Sequence, residues 1–405
     1  MLNMRTLLVG LAALAVPAAA YADDVIVLGA AVSLTGKYST NGKNTKDGYD
    51  LAVKMINEKG GVKVGGKTYK LQVKYYDDES TPARGAELAE RLIKQDGLKF
   101  ILGPYSSGMT KAVVPVTEQY KVPMIEGNGA ARELFTKGYR YLFATLSTSD
   151  QYLTSAITLA AENAKALGKE PKAMTIAIVI ENDPFSQDVR AGILDDAKKY
   201  GMRIVIDDQM PKDVNDISST LTKVKALKPD ILVVSGHSKG AATATQQIGE
   251  MKVDVPVIAM THCDSAQIAE KQGKAAEYIL CAQQWDVALT YKDALFGDSK
   301  KYAELFKKDF NYDPPYQAAE STAAVQVFAD AFTRAGTLDP EKVRDAIAAT
   351  NLETFYGNIK FDEAGRNIAK PMVLTQVRGG DYKLVAPEKW AATKPVIPAP
   401  GWAKR

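Results

Sequence analysis

Apolar runs of strand length alternate along the chain with stretches whose apolar positions recur every three to four residues. Val25–Val32 predicts a strand, and Lys46–Lys59 an amphipathic helix that ends at Gly60-Gly61. Lys70–Tyr76 predicts a strand closing in Asp77-Asp78. Pro82–Gln95 follows as a helix, with Ser80 and Thr81 as cap candidates. A short buried strand at Phe100–Leu102, a helix over Gly108–Tyr120 and a strand at Val122–Ile125 complete a first set. The pattern then restarts. A helix over Ser149–Leu167 leads to strands at Met174–Ile180, Arg203–Gln209, Ile231–Val234, Val257–Met260 and Tyr278–Ala282. Helices at Gln187–Tyr200, Ile217–Ala226 and Gly240–Met251 lie between them. Three helices come late, at Ser299–Phe310, Glu320–Ala335 and Pro340–Thr350. A short strand at Gly357–Phe361, a hairpin over Val373–Leu384 and a Pro-rich irregular tail from Pro387 close the chain. Strands alternating with crossover helices are most simply arranged as parallel sheets, so the expected fold class is α/β with two doubly wound, Rossmann-like lobes.

Open α/β sheets bind ligands at the carboxyl ends of their strands. That rule selects Ser33–Asn41, Gly103–Gly108, Glu126–Ala131, Glu181–Ser186, Ser235–Lys239 and Thr261–Asp264 before any other consideration. The only two histidines, His237 and His262, both fall in these segments.

The first 22 residues predict a secretory signal. Arg5 is their only charge, an apolar run extends from Leu7 to Val16, and Ala20-Tyr21-Ala22 fits an A-x-A cleavage site. The run ends in small residues before Asp23-Asp24, which argues against a membrane anchor. Cleavage near Ala22 would release the product into an oxidising compartment. There Cys263 and Cys281, the only cysteines, have two alternatives: a disulfide, or two buried thiols.

Composition narrows the chemistry. The 405 residues exceed what a single core usually holds, which favours two lobes. Lys plus Arg is 51 against 48 for Asp plus Glu, so there is no basic footprint for nucleic acid. Gly36–Asn44 resembles a phosphate loop, but the spacing is one residue too long and Asn44 replaces the magnesium-binding hydroxyl. Gly103–Gly108 places serines between glycines without the G-x-S-x-G of a hydrolase elbow, which weakens the alternative of an exported hydrolase. His237, His262, Cys263 and Asp264 match no zinc signature, so neither metal nor cofactor is expected. Asp77-Asp78 is read as helix capping and dipole compensation.

Several stretches, in this order, resemble the periplasmic substrate-binding proteins of branched-chain amino acid ABC transporters. They are Ser33-Leu34-Thr35-Gly36, Gly48–Val53 with Ile56-Asn57 and Gly60-Gly61, Tyr76-Asp77-Asp78 with Pro82, Gly103–Ser107, Gly138-Tyr139 with Phe143, and Phe361-Asp362 with Gly365. The resemblance implies two lobes joined by three crossovers that close around a small ligand without turnover. The crossovers would fall near 145–148, 284–286 and 361–367. Lobe one would then be 23–145 plus 286–360, and lobe two 146–285 plus 361–405. It also implies a soluble periplasmic receptor, expected as a monomer, that delivers its ligand to an inner-membrane ABC permease. A sensory ligand-binding domain is a further alternative, disfavoured because no second apolar run of spanning length follows the signal.

The resemblance assigns residues. Ser107 and the loop Asn128-Gly129-Ala130 would hold a ligand carboxylate, with Ala130 where a threonine is usual. Phe185 and His237 take aromatic positions, and Tyr316 packs on the ligand's body. Thr261 or His262 stands where the family has an acid for the α-ammonium, and Asp264 is the nearest acid. Tyr38, Asn41, Tyr105 and Ser106 complete the candidate set. Without the usual acid, a buried ammonium would lack a partner at a cost of several kcal/mol. The ring-rich set therefore suits a carboxylate with an aromatic or planar body, alongside an amino acid held by Asp264.

Overall fold

A computed structural model describes residues 24–212 and 214–405, so the expected signal segment lies outside the described residues. The chain opens with β1 (Val25–Val32), α1 (Ser39–Glu58), β2 (Val62–Val64), β3 (Lys67–Asp77), α2 (Pro82–Lys94), β4 (Ile101–Leu102), α3 (Ser107–Gln119), β5 (Met124–Glu126) and β6 (Leu142–Ala144). These strands form one sheet in the order β2-β3-β1-β4-β5-β6, parallel except for β2. Ile26, Leu28, Ala30 and Val32 of β1 are fully or almost fully buried, and so are most of the residues between them, because helices cover both faces of a parallel sheet.

The chain then crosses to a second lobe. It contributes α4 (Thr154–Glu162), β7 (Thr175–Glu181), α5 (Pro184–Tyr200), β8 (Arg203–Met210), α6 (Ser218–Leu227), β9 (Ile231–Ser235), α7 (Ser238–Glu250), β10 (Val257–Thr261), the single turn α8 (Ile268–Lys271) and β11 (Leu280–Gln283). A return to the first lobe supplies β12 (Lys292–Asp293), β13 (Gly297–Asp298), α9 (Ser299–Phe310), α10 (Tyr316–Ala335), α11 (Pro340–Ala348), β14 (Asn351–Thr354) and β15 (Gly357–Lys360). Last come β16 (Val373–Arg378) and β17 (Asp381–Ala386), antiparallel strands that extend the second sheet to β17-β16-β11-β10-β9-β7-β8. Helix α10 packs along α1, and Gly48 makes the approach possible: a Cβ there would lie 2.2 Å from the Ala318 carbonyl oxygen.

The three crossings are laced together. Ser147 on the first donates its N–H to Gln284 Oε1 on the second and its hydroxyl to the Lys370 carbonyl on the third. Lys370 Nζ donates to the Gln284 carbonyl, and Asn367 Nδ2 to the Thr145 carbonyl at 2.7 Å. Burial pulls the Lys370 ammonium down to about 7, against the opposing pull of the Glu320 carboxylate. Residues 361–366, which the sequence reading puts in lobe two, return to the first sheet instead. Ala144 of β6 bridges Arg366 and donates its N–H to the Gly365 carbonyl.

The elements depart from expectation where chemistry hides the pattern. Helix α1 begins at Ser39, seven residues early, because its first two turns are polar and border the space between the lobes. The single helix expected over 149–167 is α4 flanked by two one-turn 3-10 segments. Asp77 and Asp78 do not cap a helix. Asp77 accepts from the N–H groups of Leu34 and Thr35, and Asp78 from the Ser33 hydroxyl, so together they clamp the loop after β1. No described helix is long and apolar enough to cross a membrane.

Candidate functional site

Both sheets reverse their strand order at a switch point. In the first it lies between β1 and β4, in the second between β7 and β9. Ligands of open α/β sheets sit in the crevice such a point creates. The loops at these two points face each other across the lobes. After β1 comes Tyr38, and after β4 come Tyr105, Ser106 and Ser107. After β7 comes Phe185, and after β9 comes His237.

The result is a buried group of rings. Tyr38 lies 4.7 Å from His237 and 5.4 Å from Tyr105, centroid to centroid. Phe185 lies 5.1 Å from His262, which is 5.2 Å from His237 and 6.1 Å from Tyr316. Tyr105 Oη from lobe one bridges the two histidines of lobe two, at 2.8 Å from His237 Nδ1 and 2.9 Å from His262 Nε2. One hydroxyl can donate only once, so it accepts from one imidazole and donates to the other. Burial pushes His262 well below the usual histidine range, so it stays neutral.

The expected carboxylate anchor is built differently from the sequence reading. Ser107 does follow β4 and opens α3, and Ser106 caps that helix by accepting from Met109 N. Ser107 Oγ is fully buried and accepts from Ala130 N at 3.1 Å and Ala131 N at 3.0 Å. The hydroxyl is therefore part of the loop's own structure rather than a group standing in an open cleft. The amides of Asn128 and Gly129, expected to face a ligand, are taken by the protein's own Glu126 Oε1. Glu126 Oε2 accepts from the Thr110 hydroxyl at 2.7 Å. Gly103 makes room for this carboxyl, since a Cβ there would sit 2.2 Å from Glu126 Oε2. Burial raises the Glu126 carboxyl to about 7, although Thr110 and the amides oppose the shift.

Two further candidates hold the lobes instead of standing free. Asp264 accepts from Ser265 N and, across the lobes, from Tyr316 N at 2.9 Å, the first residue of α10. A carboxylate at a helix start is well placed. Asn41 Oδ1 accepts from the Ser238 hydroxyl of lobe two at 2.8 Å. Thr261 is spent within lobe two, donating to the Gly236 carbonyl. Cys263 and Cys281 form a disulfide, with Cα atoms 5.8 Å apart, so Cys263 is no metal ligand.

Several buried polar atoms around the rings have no hydrogen-bond partner: Asn41 Nδ2, Asn128 Oδ1, His262 Nδ1, Tyr316 Oη and Gln317 Oε1. Each is a group that a polar ligand can satisfy, and such groups are uncommon in folded interiors. The sequence reading missed Tyr152, whose ring lies 5.0 Å from Phe185 and 6.3 Å from Tyr316. It also missed Gln317, and it did not single out Ser238 within the selected segment Ser235–Lys239. Tyr152 sits in irregular chain just past the first crossing, so no strand end pointed to it.

Comparison with known proteins agrees with this architecture. The chain is 25% identical over 347 residues to a leucine-, isoleucine-, valine-, threonine- and alanine-binding protein of Pseudomonas aeruginosa, covering 85% of this chain and 87% of that protein. A branched-chain amino acid transporter substrate-binding protein of Streptococcus pneumoniae, solved with isoleucine, superposes with a TM-score of 0.76 at 23% identity, over 90% of this chain and 100% of that one. A solute-binding protein of an ABC transporter from Rhodopseudomonas palustris BisB5, solved with 3,4-dihydroxybenzoic acid, gives 0.76 at 21% identity, over 95% and 100%. The family model described as periplasmic binding protein matches residues 25–381, so the chain belongs to the periplasmic binding proteins, solute-binding proteins rather than enzymes.

Proposed function

We propose that this chain is the periplasmic receptor of an ABC importer, and that it takes a small aromatic carboxylate between its lobes. Residues 1–22 are removed on export, and the monomer hands its ligand to an inner-membrane permease. The moving bodies are 24–145 with 286–366 and 146–285 with 367–405, rotating about the laced crossings. The observation that carries the ligand class is the group of rings closed around Tyr105 Oη and two histidines, with His262 where an ammonium would need an acid. Asp264, the nearest acid in sequence, has both oxygens engaged by backbone amides. Planar ligands stack or meet edge-on with such rings. A ligand carboxylate beside Ser107 would accept its hydroxyl proton, a donor polarised by the Ala130 and Ala131 amides that its oxygen accepts from.

Calorimetric titration with benzoate, 4-hydroxybenzoate, leucine and phenylalanine tests this, after removal of bound metal and small molecules. Micromolar or tighter binding of a benzoate, with compaction in small-angle scattering, is expected. Binding of the amino acids alone would overturn the ligand class.

A further inference from the structure

Among the described residues, one group of metal-ligating side chains lies close together: Glu181, Asp183 and His237. We propose that these three bind a divalent first-row transition-metal ion, with Zn2+ best matched to the donor set, at the switch point of the second lobe. Glu181 ends β7, Asp183 follows in the same loop, and His237 follows β9, the neighbouring strand. Helices α5 and α7, which these loops lead into, pack on opposite faces of the sheet, so the loops part and leave a crevice.

The donor geometry fits one ion. One oxygen of each carboxylate and one ring nitrogen lie within 4.8 Å of one another, and His237 Nε2 is 3.7 Å from Asp183 Oδ1. Donors about 2.1 Å from a shared ion stand roughly 3–4 Å apart, so small adjustments suffice. All three residues are at least nine-tenths buried. Glu181 Oε2, Asp183 Oδ2 and His237 Nε2 each lack a hydrogen-bond partner. Two carboxylates side by side in the interior repel each other, and a dication offsets both charges.

The surroundings orient the donors as metal sites require. Asp183 Oδ1 accepts from Phe185 N and Ser186 N, which fixes its carboxylate at the start of α5. His237 Nδ1 meets Tyr105 Oη, so the other ring nitrogen is held in the way that sets the tautomer of a ligating histidine. With Nε2 as the ligand, Nδ1–H donates to Tyr105, and Tyr105 donates to His262 Nε2. The hydrogen-bonded chain then has one direction throughout. Three protein donors leave a coordination position open, and Tyr38 of lobe one forms the opposing wall.

The test uses the mature chain, stripped with a chelator and freed of small molecules, with the metal alone as probe. Equilibrium dialysis against Zn2+ should leave one ion per chain. Co2+ should give a visible absorption band of a low-symmetry nitrogen and oxygen site. Glu181→Gln keeps the side-chain volume, and Asp183→Asn keeps a good helix cap. Both should weaken the ion's affinity by at least about 10- to 100-fold while the metal-free chain still unfolds cooperatively. Failure of the wild type to retain Zn2+ and to give the Co2+ band would overturn the site. So would retention that both substitutions leave unchanged. Neither measurement involves the aromatic acid, so the site stands or falls independently of the ligand class.

Discussion

Replacing Glu126 by glutamine should stabilise the protein, and only above acidic pH. Burial holds this carboxyl at about 7 in the folded chain against an ordinary 4.5. A difference of that size is worth about 3 kcal/mol between the two protonation states. Between those two values the folded chain keeps a proton that the unfolded chain has released. Stability therefore falls as pH rises from about 4.5 to about 7, and the loss is complete above 7. Glutamine has no such dependence, and the site can accept it. Its oxygen takes the amides of Asn128 and Gly129. Its NH2 can donate to Thr110 Oγ1, whose own proton reaches the Ser106 carbonyl at 2.9 Å. Urea unfolding of both proteins at pH 4.5, 6 and 8 measures the difference. Near pH 4.5 the two should match closely, and at pH 8 the Glu126→Gln protein should be about 1–3 kcal/mol more stable. A difference that stays constant across the three pH values would refute the reasoning, as would a less stable variant at pH 8.

Ser107→Ala strands the amides of Ala130 and Ala131, and a buried unsatisfied donor costs about 1–3 kcal/mol. The urea midpoint should drop by the equivalent of about 2–4 kcal/mol, and a variant as stable as the wild type would mean that the hydroxyl does not hold the loop. Tyr105→Phe keeps the ring and removes the one hydroxyl that joins both histidines across the lobes. With ligand bound, the variant should close less completely than the wild type, with a larger radius of gyration in small-angle scattering and roughly 10-fold weaker ligand binding. An unchanged scattering profile would remove Tyr105 from the closing contacts.

The α/β alternation was legible because buried parallel strands are apolar on both faces. Val25–Val32 reads the same in sequence and structure, and the hairpin of β16 and β17 lies where its pattern predicts. Strands β2, β6 and β14 escaped notice because three or four residues carry too little periodicity. At the site, the strand-end rule selected loops that the structure brings together, among them those of Tyr105 and His237. It could not tell which polar groups those loops spend on themselves. Glu126 occupies amides that looked available, and Asp264 serves the start of α10. Glu126 folds back on the amides two and three residues along its own loop, a turn that the strand-end rule does not resolve, and Asp264 pairs with the opposite lobe, which leaves no trace in residue spacing. Glu181 and Asp183 stood in a selected segment, yet their relation to His237 depends on β7 and β9 being neighbours.

The threading of the chain through both lobes has a consequence for the order in which the protein can be made. Helix α10, which packs along α1 and belongs to the core over the first sheet, is not complete until residue 335 has been synthesised. The second sheet waits longer, since β16 pairs with β11 only after residue 373. Neither half can bury its full apolar surface early, although each begins near its own start. Contacts this distant in sequence form slowly, because long loops must close before any burial rewards them. Neither lobe of a nascent chain can thus complete its core until nearly all of the chain exists. That is the condition in which a chain can be threaded end-first through a narrow translocation pore.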